Sequence, residues 1–198
     1  MKRFFRLACL ALVAIVASVS LASCSKSDDN NGDKGSASAL GLVYGFSKDV
    51  YDNYDITLTY TNAEGQEVTE SIKKDGAEQF DSIVSGNTYT VYEWTKSIAY
   101  TKSIANGQIS FSATKKVSSA IDSSNKYNLA FSYGYGTVKA TTAKIKKAAL
   151  KYRLFTNKNI LGEKVDEAVT KRLAAFKTTF NVDSDGAISF VGSSSMTE

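Results

Sequence analysis

From Leu40 onward, apolar side chains recur at every second position over most of the chain. That is the period at which a β-strand sends successive side chains to opposite faces. Leu40, Leu42, Tyr44 and Phe46 make one such face, and Tyr54, Ile56, Leu58 and Tyr60 repeat it with threonines opposite. Asn62-Ala63-Glu64-Gly65 has the residue types of a turn and leads into Val68 to Ile72, which predicts a hairpin. Thr95-Lys96-Ser97-Ile98-Ala99 recurs as Thr101-Lys102-Ser103-Ile104-Ala105, a six-residue step that would keep Ile98 and Ile104 on one side of a strand. Asn106-Gly107 then predicts a type I′ turn into Ile109, Phe111 and Ala113. Lys126 to Tyr133 alternates again, ahead of an expected bend at Gly134-Tyr135-Gly136, and Leu150, Tyr152 and Leu154 predict a strand with Lys151 and Arg153 outward.

One stretch departs from this rhythm. From Glu163 to about Lys177, Val165, Val169, Leu173 and Phe176 fall at helical spacing. Glu163, Asp166 and Glu167 load its start with negative charge, and Lys171, Arg172 and Lys177 load its end with positive charge, the polarity a helix dipole favours. Phe180 and Val182, a turn, then Ile188 and Phe190 predict a closing hairpin. The expected fold is mainly β, of the α+β class: an antiparallel β-sandwich-like sheet with one amphipathic helix packed on it.

The chain ahead of this pattern has a different character. Basic Lys2, Arg3 and Arg6, an apolar run from Leu7 to Ala17 and small residues before Cys24 have the three parts of a signal peptide. The run is shorter than the roughly 20 apolar residues that span a bilayer. Leu21-Ala22-Ser23-Cys24 resembles the lipobox of bacterial lipoproteins. The resemblance implies cleavage before Cys24 and acylation of that residue, which anchors the protein in a membrane. From Ser25 to Ser36 no residue is apolar, so this stretch reads as a flexible tether. Its acidic cluster, Asp28 and Asp29, resembles the export tag of Bacteroidetes-type outer-membrane lipoproteins, and Ser25 after the cysteine fits outer-membrane sorting. The expected organisation is a signal peptide at 1–23, a tether at 24–39 and one globular domain at 40–198, lipid-anchored at the outer membrane and facing either the cell surface or the periplasm.

Composition then narrows the chemistry. The chain has 24 Lys+Arg and 20 Asp+Glu, and removing Lys2, Arg3 and Arg6 with the signal leaves 21 against 20. That balance argues against nucleic acid as a partner. The charge is unevenly placed: residues 24–94 hold 5 basic and 13 acidic residues, whereas 95–198 hold 16 basic and 7 acidic. Histidine is absent and the 2 cysteines are Cys9 in the signal and Cys24. A disulfide within the mature chain, a Cys/His zinc site and a Ser-His-Asp triad are therefore excluded, and no enzyme and no cofactor is expected. Proline is absent too, so turns must rest on glycine, asparagine and aspartate.

Ile83 to Val91 contains Gly86-x-x-Tyr89-x-Val91, which resembles the corner before a late strand in fibronectin type III and immunoglobulin-like sandwiches. In that family the corner tyrosine points inward. The resemblance therefore implies that Tyr92 and Trp94, of opposite parity, face outward as an apolar platform for sugar rings. The same parity continues to Ile98, Tyr100 and Ile104, which fits a face buried under the helix instead.

Lys144, Lys146, Lys147, Lys151 and Arg153 form the second candidate, a basic patch for an anionic glycan or an acidic protein; the competing reading is a guard on a sheet edge. Asn181-x-Asp183-x-Asp185-Gly186-x-Ile188 follows the order of a calcium loop, but Gly192 stands where the bidentate glutamate belongs. A hairpin turn explains the same residues, and no metal site is expected. A glycan- or protein-binding module of the envelope is the leading expectation, and an assembly accessory of a fimbrial or transporter complex is the alternative.

Overall fold

The computed structural model describes residues 37–192, which fall in one compact unit. The signal peptide, Cys24 and the tether as far as Ser36 lie outside the described residues.

The architecture is two five-stranded antiparallel sheets. The first has the order β4 (Glu78–Val84), β5 (Asn87–Ala99), β1 (Ser38–Ser47), β7 (Lys126–Lys139) and β8 (Lys151–Leu161). The second has the order β10 (Ile188–Val191), β9 (Thr178–Val182), β6 (Ile104–Lys115), β2 (Tyr54–Thr61) and β3 (Glu67–Ser71). A short helix, α1 (Lys48–Asn53), joins β1 to β2, and the amphipathic helix α2 (Gly162–Ala175) joins β8 to β9. The expected mostly-β sandwich with a packed helix is thus the observed fold.

Alternation puts Leu40, Leu42, Tyr44 and Phe46 of β1 into the space between the sheets, facing Tyr54, Ile56 and Leu58 of β2 and Ile109 and Phe111 of β6. Val165, Val169 and Leu173 of α2 close the same core, together with Phe176 just beyond it. Tyr133 stacks on Phe176 with ring centroids 4.8 Å apart and meets Phe111 edge-on at 5.8 Å. The Tyr133 hydroxyl shares a 2.7 Å hydrogen bond with Thr178, so its polar end is satisfied inside the core. Leu161 precedes α2 and has no side-chain acceptor for the first helical N–H groups; Gly162 and Glu163 donate instead to the carbonyls of Asn125 and Ser123. Gly162 is required there, because a Cβ would lie 1.8 Å from the Asp122 carbonyl oxygen.

Three local expectations are corrected. The duplicated TKSIA segments do not share a strand: Ile98 ends in β5 of the first sheet and Ile104 begins β6 of the second, and both are buried in the core from opposite sides. The chain crosses between sheets at Tyr100–Ser103, so Asn106-Gly107 is not the turn. Asn106 takes a left-handed φ of 55° within an irregularity of the β6–β9 pairing, and Gly107 leaves room for the Phe180 ring, which a Cβ would meet at 2.5 Å. Gly134-Tyr135-Gly136 does not bend the chain either; β7 runs on through it to Lys139. The two-residue turn the chain does use is Ser85-Gly86, both at positive φ (50° and 76°), which joins β4 to β5 as a tight hairpin.

Candidate binding site

Glycine in the interior of a strand costs stability and marks a place where something approaches the backbone closely. On the outer face of the first sheet, Gly41 and Gly45 of β1 lie beside Gly136, Gly134 and Ser132 of β7. What approaches is the sheet's own chain. A Cβ on Gly134 would lie 3.0 Å from the Tyr152 ring, and one on Gly41 or Gly136 would press on Val138 or Leu150. The segment 140–150, which ends in a 3₁₀ turn at Lys147–Ala149, crosses this floor as a strap.

Two ion pairs hold the strap. Glu78 of β4 and Glu93 of β5 stand directly opposite each other in the antiparallel register. Like charges so placed repel. Lys144 pairs with Glu78 at 2.8 Å and Lys147 with Glu93 at 2.6 Å, so the strap supplies one counter-charge to each. Buried Ile145 lies between the two lysines in sequence and helps to hold the strap down.

The two pairs differ in kind. Glu93 is 4% exposed, and a carboxylate taken that far from water needs its oxygens filled. It accepts from the Ser132 hydroxyl at 2.9 Å and the Tyr152 hydroxyl at 3.0 Å besides Lys147. The Lys147 ammonium also sits 4.2 Å from the Phe80 ring centroid and 5.0 Å from that of Tyr152, a cation–π arrangement. Burial, and then the negative charge of Glu93, push the Tyr152 phenol above its ordinary range, so it remains a donor. The Glu78–Lys144 pair is exposed. The hydrogen bond from Lys144 holds the Glu78 carboxyl below its ordinary value, and the same bond raises Lys144.

Between the strap and the sheet opens a cavity of about 580 Å³, lined by Glu78, Glu93, Thr95, Ile145, Lys146 and the two paired lysines, with Gly76 and Ala143 at its margins. Its size lies within the roughly 300–1,000 Å³ of small-molecule sites. Lys146 points no ion pair at either glutamate and is exposed, so three ammonium groups stand against two carboxylates around the cavity.

The residues singled out from the sequence divide around this geometry. Lys144, Lys146 and Lys147 belong to the strap. Lys151 and Arg153 do not join them: they alternate with Tyr152 and Leu154 and share the parity of Phe155, on the sheet face that carries the core. Lys151 lies 5.9 Å from the Tyr135 ring. The single basic patch is therefore two groups on opposite faces of one sheet.

Tyr92 and Trp94 do not form an outward platform. They are 3% and 6% exposed, in the core between the sheets, where Trp94 stacks on Tyr44 at 5.9 Å and donates its indole N–H to the Lys73 carbonyl at 2.8 Å. Tyr89 and Val91 take the outer face instead, packed with Ala130 under Phe80, Val84 and Leu154. Asp183 closes the β9–β10 hairpin, its carboxylate accepting from the backbone N–H of Asp185 at 2.9 Å and of Ala187 at 2.8 Å.

Glu93, which organises the site, was missed because it sits inside the apolar run Val91-Tyr92-Glu93-Trp94. The available signal was an acid in the middle of a buried strand, together with the four-residue step from Gly41 to Gly45 and the two-residue step from Gly134 to Gly136, each keeping one face clear. No protein-family model, curated protein or solved structure matches this chain.

Proposed function

We propose that the protein is a lipid-anchored binding module of the bacterial outer membrane, held by acylated Cys24 and presenting its β domain, which starts with β1 at Ser38, on the acidic segment that follows Cys24. The reading is non-catalytic: the mature chain offers no histidine, and Cys24 is committed to the anchor. The observation that carries the binding role is the open cavity beneath the strap, where a buried, fully hydrogen-bonded Glu93 fixes the position of Lys147 and so gives the cavity a rigid polar wall. Preorganised polar groups of this sort orient a ligand at low entropic cost.

A second reading, an assembly accessory of an envelope complex, draws on the edge strand β4, where Ile83 is 74% exposed. Unprotected apolar positions on a sheet edge favour pairing with another chain.

Protease shaving of intact cells separates the two. The binding module loses its domain from wild-type cells, while a variant carrying Asp28→Ala and Asp29→Ala is protected because its export tag is gone. Protection of both places the domain in the periplasm and favours the assembly role.

A further inference from the structure

From the charge count and chemistry of the strap cavity, we infer that its ligand is an acidic saccharide, a sugar unit carrying one carboxylate, with Lys146 meeting that carboxylate. The inference rests on the binding role proposed above and names the ligand class for that same cavity.

Three features converge on it. Lys144 and Lys147 are each committed to a glutamate, at 2.8 and 2.6 Å, so their charges cancel within the wall. Lys146, between them in sequence, is exposed and enters no ion pair among the described residues, which leaves the cavity lining one positive charge in excess. A ligand with one negative charge satisfies that excess, whereas a cation meets repulsion and a polyanion would have to break the two existing pairs.

The remaining groups favour a sugar over a simple organic acid. The exposed Lys144–Glu78 pair presents donor N–H and acceptor oxygen side by side, and the Thr95 hydroxyl offers both functions; vicinal sugar hydroxyls donate and accept in the same way. Ile145 and Ala143 give an apolar patch for the C–H face of a ring. The volume of about 580 Å³ exceeds what a lone carboxylate needs and lies in the range of small-ligand sites. Aromatic stacking plays no part, because Trp94 and Tyr92 lie on the other face of the sheet.

The test titrates the full mature chain, in detergent micelles, with monomeric galacturonate, with its neutral methyl ester and with galactose, following the methyl signals of Ile145 and Ala143. Galacturonate is expected to shift both signals in a saturable way, and Lys146→Gln to weaken that binding about fivefold to tenfold, the scale of one partly solvated charge contact. Lys151→Gln removes the same charge from the opposite face of the sheet and is expected to leave the affinity unchanged. Equal weakening by the two variants would reduce the effect to net charge and overturn the assignment of Lys146. Equal binding of the acid and its ester overturns the acidic class while leaving the cavity as a saccharide site. Absence of a shift at Ile145 and Ala143 with all three sugars overturns both this inference and the binding site on which it rests.

Discussion

Trp94 shows how one residue can be read two ways until its neighbours are known. Its spacing from Tyr92 suits a flat sugar-binding platform, yet the indole stacks on Tyr44 at 5.9 Å and also contacts Phe46 and Tyr51. The hydrogen bond to the Lys73 carbonyl ties its polar edge to the segment between β3 and β4. Replacing a buried tryptophan with alanine removes the transfer free energy of a large ring and leaves a cavity, at a cost of about 3–5 kcal/mol. Trp94→Ala should therefore lower the urea midpoint sharply, whereas a platform tryptophan would leave the midpoint in place and abolish saccharide binding. The parity that runs from Tyr92 through Trp94 to Ile98 pointed to burial within the sequence itself. The outward assignment came from reading Gly86-x-x-Tyr89 as a sandwich corner, while the structure places Gly86 in a two-residue hairpin and turns Tyr89 to the other face.

Among elements, the strap is attached in part through charge. Its Lys147 end is fixed by a buried carboxylate with three partners, and its Lys144 end by an exposed pair alone. Glu78 titrates below its ordinary 4.5 because the folded state favours its ionised form; that contribution is complete above 4.5 and is lost as pH falls through the depressed value. Lys144 titrates above its ordinary 10.5, so its contribution is complete below 10.5 and is lost as pH rises through the raised value. The Lys144 end should stay docked between those limits and loosen in acid first. Protection of the Ala143 and Ile145 amides, measured against the intrinsic exchange rate at each pH, is expected to fall below pH 4.5 while protection at Tyr152 does not change, and high salt should have the same local effect through screening. If Tyr152 and Ala143 respond together, the strap has no separate weak end.

For the whole molecule, the proposed lipid anchor makes a prediction about membrane association. The described residues 37–192 carry a two-sheet core, and the proposed anchor, Cys24, lies outside the described residues. Cys24→Ser should therefore release the protein from the membrane fraction without changing its thermal midpoint. A variant that keeps its membrane association would show that the β domain itself binds the envelope. The charge asymmetry of the sequence is only partly cancelled in three dimensions. Acidic Glu78 and Glu93 from the first half meet Lys144 and Lys147 from the second, as do Glu70 and Lys96 at 2.8 Å, so the two halves interleave where the chain crosses between strands.

The sequence by itself determined the fold class, the strands from β1 to β3, the helix α2 within two residues at each end, the closing hairpin and the absence of histidine chemistry. These follow from local rules: side-chain period, turn residue types, dipole-matched charge and simple absence. Tertiary structure alone decided which sheet each strand joins, which of two readings of β5 holds, and that Gly41, Gly45, Gly134 and Gly136 pave one floor. Alternation fixes which residues share a face but carries no sign for inside and outside when both faces are covered, as they are for β1 and much of β5. The pairing of Glu93 with a lysine 54 positions later is a contact between strands and strap that no local pattern encodes.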